Sequence, residues 1–397
     1  MHRFYHQSHN KKHFLSFYWI VVCFGIFLIL PQQSHPASSQ IFSGLSFANP
    51  AELALIQKQQ LKLYGTYIYQ DDKFSGISAG GKGSAQSKQH LFLPEFRYSY
   101  RFNSKVVAGL KVTEPFAAKD DYGLNSILRY TVPKVDITTQ DISPNISYAL
   151  TKKFIIGFGL DSIHYQLNIS SIIPSPSPLL PDAAFSNEGS DWGYGYHAGF
   201  LYRINLSTYV DAAYFSKTHF KLHGESYYPY TTSTNANIST DLPATTTLSL
   251  THFFNTKFFM RGSLAYTQWH QVRLITIKNT ALGNLPPLQT GYRNALFYML
   301  AGHYQLKPHL GLSANILYEQ SPTLPRRIET NGFDSDMYGM GVGLDFHPVK
   351  HINIAMFYDH LFSQNDHINN NRSPIIQTVG TANFSDNIIA IHFTWDY

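Results

Sequence analysis

A membrane-spanning antiparallel β-barrel of about fourteen strands, all-β in class, is the fold that this sequence predicts. Three observations carry it. Apolar residues alternate with period two in segment after segment, short and long connections alternate along the chain, and the composition is poor in charge but rich in aromatics. Charged residues make up 14% of the chain, against the quarter usual in soluble domains, and aromatics reach 15%. Beyond residue 40 there is no apolar run long enough for a spanning helix, whereas tilted strands need only about nine to eleven residues.

The N-terminus comes first. Arg3, Lys11 and Lys12 give a basic start, an apolar run extends from Phe14 to Leu30, and His35-Pro36-Ala37-Ser38-Ser39-Gln40 is small and polar. That order is the layout of a secretory signal peptide, assigned to residues 1–39, with a membrane anchor as the alternative. Cys23, the single cysteine, leaves with it, so the mature chain has no disulfide, thiolate metal site or cysteine nucleophile. Without the three basic residues the count of Lys and Arg falls from 30 to 27 against 25 Asp and Glu. A near-neutral chain with no basic cluster among its aromatics does not suggest a nucleic-acid partner.

Fourteen segments follow: 60–71, 91–103, 105–115, 139–151, 153–168, 190–203, 206–221, 239–254, 257–275, 291–305, 308–319, 335–347, 350–364 and 384–397. Six connections are very short, around Ser104, Lys152, Asn205, Thr256, Lys307 and Val349. Seven are long and polar: 72–90, 116–138, 169–189, 222–238, 276–290, 320–334 and 365–383. Tight turns at one end and long loops at the other are the habit of outer-membrane barrels, not of soluble sandwiches.

Parity on the strands tells of the lumen. If Leu296, Tyr298 and Leu300 face lipid, then Arg293, Ala295, Phe297, Met299 and Ala301 face inward, with Leu317 and Phe357 beside them. A water-filled porin wants a polar interior, so this apolar stripe argues for a hydrophobic ligand; the bland alternative is packing on an inserted segment. Arg293 suits either a ligand head group or an ion pair to an acid such as Asp334. Pro115 cannot donate to a ladder and belongs at a bulge, an edge or a strand end. Gly76-Ile77-Ser78-Ala79-Gly80 matches a nucleophile-elbow pattern but lacks the strand–turn–helix setting. His347 and His351 flank a turn, which is no metal-binding spacing. No enzyme, metal or cofactor is expected.

Several short motifs then align with one family. Asn49-Pro50-Ala51 precedes the first strand, and the run Ile142 to Asp161 reads ISPNISYALTKKFIIGFGLD. Tyr266-Thr267-Gln268-Trp269, Tyr292-Arg293, Ser321-Pro322 and Phe333-Asp334-Ser335-Asp336 follow in order. Together they resemble the FadL-type outer-membrane transporters of long-chain fatty acids and other hydrophobic compounds. The resemblance implies an N-terminal plug, here shortened to residues 40–59, closed by Asn49, Pro50 and Ala51, and a barrel over 60–397 with both termini periplasmic. It implies passive diffusion of cargo past Phe297, Met299, Arg293, Phe357 and His164. It also implies a lateral gate at Lys111, Val112, Thr113, Glu114 and Pro115 on an inward-kinked third strand. The implied partners are a hydrophobic small molecule, outer-membrane lipid and the barrel-assembly machinery. Two departures stand out: the short plug, and the polar Gln289, Thr290, His164, Gln166 and Asn168 near positions where the family has basic side chains. The competing readings are a surface adhesin and a general porin. The loop holding Ile172, Ile173, Leu179 and Leu180 is the expected collecting surface.

Overall fold

The computed structural model describes residues 47–131, 133–175, 179, 181–229, 231–289, 291–323, 336–363, 366–370 and 378–397. The expected signal peptide and residues 40–46 lie outside the described residues. One antiparallel sheet closes on itself through fourteen barrel strands. They are β1 (Gln59–Ser78), β2 (Gly81–Arg101), β3 (Val106–Thr113 and Ala117–Asp121), β4 (Lys134–Ala149), β5 (Phe154–Ile173), β6 (Ala183–Arg203) and β7 (Thr208–Phe215 and Thr218–Tyr228). Then come β8 (Thr231–Leu242 and Thr245–Phe253), β9 (Phe258–Thr267 and Leu274–Lys278), β10 (Ala295–Lys307), β11 (Leu310–Glu319), β12 (Met337–Val349), β13 (Ile352–Ser363 and Asp366–Asn370) and β14 (Thr378–Asn383 and Ser385–Asp396). Closure is made by β14 on β1, in register from Gln60–Asp396 to Gln70–Asp386. Closing the sheet removes both edges, as hydrocarbon demands.

The six short turns fall where expected, and four of them share one device. Asn103 Oδ1 accepts from the Lys105 and Val106 amides, and Asn255 Oδ1 accepts from Lys257 and Phe258. Thr151 Oγ1 accepts from Lys153 and Phe154, and Asn205 Oδ1 from Ser207. A short polar side chain thus satisfies the amides that the turn leaves free, which is why Asn and Thr stand there.

Three expected loops are corrected. Residues 72–90, 169–189 and 222–238 are largely strand, because β1 pairs with β2 as far as Ser78–Gly81, β5 with β6 as far as Ile173–Ala183 and β7 with β8 as far as Tyr228–Thr231. These strands continue beyond the lipid band, and the change shows on their outward faces. On β2 the outward residues from Phe92 to Phe102 are mostly aromatic, whereas Lys82, Ser84, Gln86, Lys88 and His90 are polar. A polar outer face carries no apolar periodicity, so it reads as a loop in the sequence. Exposed rings form two girdles, with Phe102, Tyr202, Phe254, Tyr304 and Phe346 at the turn end. Phe92, Trp192, Tyr298 and Tyr358 stand nearer the loop end. This is the interfacial pattern of a membrane barrel.

Candidate functional site

The lumen is built from the inward parity of these strands. On β10, Ala295, Phe297, Met299 and Ala301 are buried while Tyr298 and Leu300 are exposed on the outer face. Phe297 and Met299 join Leu317, Phe357, Leu361 and Ile388 in one apolar patch lining β9 to β14, with Ile68 of β1 against it. A second patch, with Tyr165, Leu167, Phe220, Leu222 and Ile238, lines β5, β7 and β8, and Phe116 packs at its border.

The plug motif is seated against the wall. Pro50–Leu55 forms a short 3-10 helix capped by Asn49, whose Oδ1 accepts from the Ala51 amide at 3.0 Å. The Asn49 amide donates to the carbonyls of Phe200 and Ala212 at 2.9 and 3.1 Å. Two wall glycines make room. A Cβ on Gly157 would stand 2.3 Å from the Ala51 nitrogen, and one on Gly199 would stand 2.2 Å from Asn49 Oδ1. Charge completes the dock: Arg261 of β9, only 6% exposed, binds Glu52 at 2.9 Å and Asp211 at 3.3 Å. Arg101 donates to the carbonyls of Ala54 and Ile56 at 2.6 and 2.7 Å.

The wall is interrupted between β2 and β3. Among the described residues their ladder ends at Phe96–Val112, and the next link is the Asp121 amide donating to Ser87 Oγ at 2.9 Å. Both sides of the gap contain a proline, Pro94 on β2 and Pro115 on β3, and neither can donate to a ladder. Pro115 does not begin a loop, because β3 resumes at Ala117–Asp121 against β4. Between its two pieces the chain leaves the sheet. The lumen-facing Thr139 Oγ1 accepts from the Phe116 amide at 2.8 Å and donates to the Phe116 carbonyl at 2.6 Å. The strand therefore steps inward at Glu114-Pro115-Phe116, and the Phe116 ring meets Phe47 of the plug segment and Trp269 between the two pieces of β9. Lys111 and Thr113 face inward with Pro115, while Val112 and Glu114 take the opposite parity.

Other expected site residues fall differently. His164 is corrected: on β5 the inward residues are Ile163, Tyr165 and Leu167, so His164 sits on the outer face against Trp192. One residue of strand register separates a lumen contact from an interfacial ring. Gln166 and Asn168 share that outer parity. Arg293 lies just before β10, 3.6 Å from Asp336, and its Nε donates to the Ser321 carbonyl at 3.0 Å; its expected partner Asp334 is not among the described residues. Residues 333–335 lie outside the described residues. Ile172 and Ile173 belong to β5, Leu179 is exposed, and Leu180 lies outside the described residues. Gly76 to Ser78 end β1 and lead into a hairpin, not a helix.

The partners of the buried lumenal charges are not legible in the sequence, and Lys111 is singled out there only as a gate residue. Lys111 reaches Asp141 at 3.5 Å, and Asp161 reaches His197 at 2.8 Å, whose Nε2 meets Asn145 Oδ1. Arg261 and Asp211 were missed as well. A charge at inward parity was the signal available for each. The plug-facing Gly157 could also have been found, because it begins a Gly-Phe-Gly alternation that clears one face of the strand.

Comparison with known proteins agrees with this geometry. Residues 41–397 match the family described as outer membrane protein transport protein (OMPP1/FadL/TodX). The chain is 22% identical over 355 residues to the long-chain fatty acid transport protein of Escherichia coli O6:H1, covering 79% of this chain and 80% of that one. It is also 22% identical to outer membrane protein P1 of Haemophilus influenzae, covering 78% of each. The structure of a Pseudomonas aeruginosa FadL homologue superposes with a TM-score of 0.78 at 19% identity, covering 88% of this chain and 93% of that one. The Pseudomonas putida toluene transporter TodX superposes with a TM-score of 0.70 at 18% identity, covering 89% and 94%.

Proposed function

This chain belongs to the OMPP1/FadL/TodX family of outer membrane transport proteins, and on that premise we propose that it carries long-chain fatty acids inward by passive diffusion. The observation that carries this reading is the apolar patch of Phe297, Met299, Leu317 and Phe357 on the lumenal wall. A porin for polar solutes has no use for such a surface, and neither does an adhesin with a closed lumen. In this reading cargo meets the barrel at the loop end, where Arg293 stands at the mouth, and then lies against Phe297, Met299 and Phe357. It leaves sideways into the bilayer between β2 and β3, past Glu114-Pro115-Phe116. Both chain termini face the periplasm.

A bridge across the gap tests the path. The one cysteine of the chain, Cys23, lies in the expected signal peptide, so Phe92→Cys with Phe116→Cys can be joined by a reducible bis-thiosulfonate linker. Uptake of labelled palmitate by cells is expected to drop to background on bridging and to return after reduction. Uptake that ignores the bridge sinks the sideways exit. An unbridged barrel that takes up no palmitate sinks transport itself.

A further inference from the structure

A row of cations crosses the lumenal wall at the foot of the gap. Lys62 of β1 stands directly opposite Arg97 of β2, and Arg97 directly opposite Lys111 of β3. All three have inward parity. The Arg97–Lys111 pair is the last lumen-facing pair before the ladder ends at Phe96–Val112. Directly opposed residues have side chains about 5 Å apart at their roots, and like charges so placed repel. Three carboxylates answer them: Glu95 pairs with Arg97, Asp141 pairs with Lys111, and Asp161, bonded to His197, also acts on Lys111. Lys62 has no ion-pair partner among the described residues.

The surroundings add a second, independent sign. His392 of β14 is 4% exposed, and its Nδ1 has no hydrogen-bond partner among the described residues. Its ring stacks on Tyr64 at 3.9 Å and lies 5.1 Å from Phe357. Tyr64 is in turn the ring over which Arg97 sits, at 5.8 Å. The polar row and the apolar patch therefore meet at His392 and Phe357. Buried polar groups are costly when unmatched, and an unpaired Lys62 near an unmatched nitrogen suits an anionic ligand group.

We propose that Lys62 and Arg97, with Lys111 alongside, form a carboxylate-binding subsite at the foot of the wall opening. The head group of an acidic amphiphile parks there while its alkyl chain lies on the apolar patch. This rests on the transport reading above and narrows it, because a neutral hydrocarbon gains nothing from the subsite.

The test uses the full barrel in an uncharged sugar detergent with two probes of equal chain length, palmitate and hexadecanol. The wild type is expected to bind palmitate more tightly than hexadecanol. Lys62→Met removes the unpaired charge, relieves its repulsion with Arg97 and leaves Glu95 matched, so folding is preserved, as heat-modifiable gel mobility will report. It is expected to weaken palmitate by about tenfold or more and leave hexadecanol unchanged, while Lys62→Arg keeps palmitate tight. Equal binding of the two probes by the wild type, or palmitate binding indifferent to Lys62→Met, overturns the subsite and leaves transport standing. A wild-type barrel that binds neither probe overturns both.

Discussion

Replacing Leu300 and Ile316 together by arginine is expected to stop the barrel from assembling in the membrane. The two residues are direct partners on β10 and β11 and both face outward. Arginine on the lipid face near mid-membrane costs about 2–4 kcal/mol per residue. Phe297→Ser with Met299→Ser, one step along the same strand, is expected to behave oppositely. The ladder from β10 to β9 and β11 is a backbone feature and survives. What is lost is the apolar surface, and each buried side chain of this size contributes roughly 1.5–3 kcal/mol. The serine variant should show the heat-modifiable mobility of a closed barrel and no palmitate uptake. Normal uptake would place the cargo path elsewhere, and an arginine pair that assembles as well as wild type would contradict the assignment of faces.

Arg261→Leu is expected to free the plug and to destabilise the protein by about 3–5 kcal/mol. The guanidinium lies between Glu52 on the plug and Asp211 on β7. Its removal leaves two carboxylates facing each other without a cation in a buried site, and breaking a buried ion pair from one side typically costs that much. The change should expose Lys58, the last residue before β1, to trypsin. Adding Glu52→Gln and Asp211→Asn should restore most of the loss, because the penalty comes from the stranded charges rather than from the missing contact. A plug as resistant to trypsin as wild type, or no recovery in the triple variant, would show that Arg101 and Asn49 hold it alone.

The lipid-facing strands were legible because one apolar face repeats every second residue. Leu312, Ile316 and Tyr358 fix the parity of their strands without any tertiary knowledge. The walls above the lipid band were not, since the outward Lys82, Ser84 and Gln86 remove that repeat while the strand continues. Lumenal patterning suffers likewise. Inward positions hold Gly, Asp, Phe, His and Arg side by side, each chosen by a partner distant in sequence, as with Arg261 and Glu52. The error at His164 is of this kind, since β5 alternates well but its lumenal face is not the more polar one. Pro94 carried as much information as Pro115, yet its meaning depends on which strand lies beyond it.

The Asn and Thr turns also set the order in which the barrel assembles. Asn103, Thr151, Asn205 and Asn255 each pin the register of a neighbouring strand pair through contacts two or three residues apart. Such local pairings form in microseconds and need no chain closure to speak of. The seam is the opposite case. Gln60 and Asp396, bonded at 2.7 Å, are 336 residues apart in the chain, and contacts so distant are made slowly. Hairpins are expected first and the seam last. Until it closes, the unpaired edges of β1 and β14 invite pairing with other chains. Pulsed hydrogen exchange during refolding into detergent should therefore protect Val106 and Phe154 well before Leu61 and Trp395, and equal protection times would refute that order.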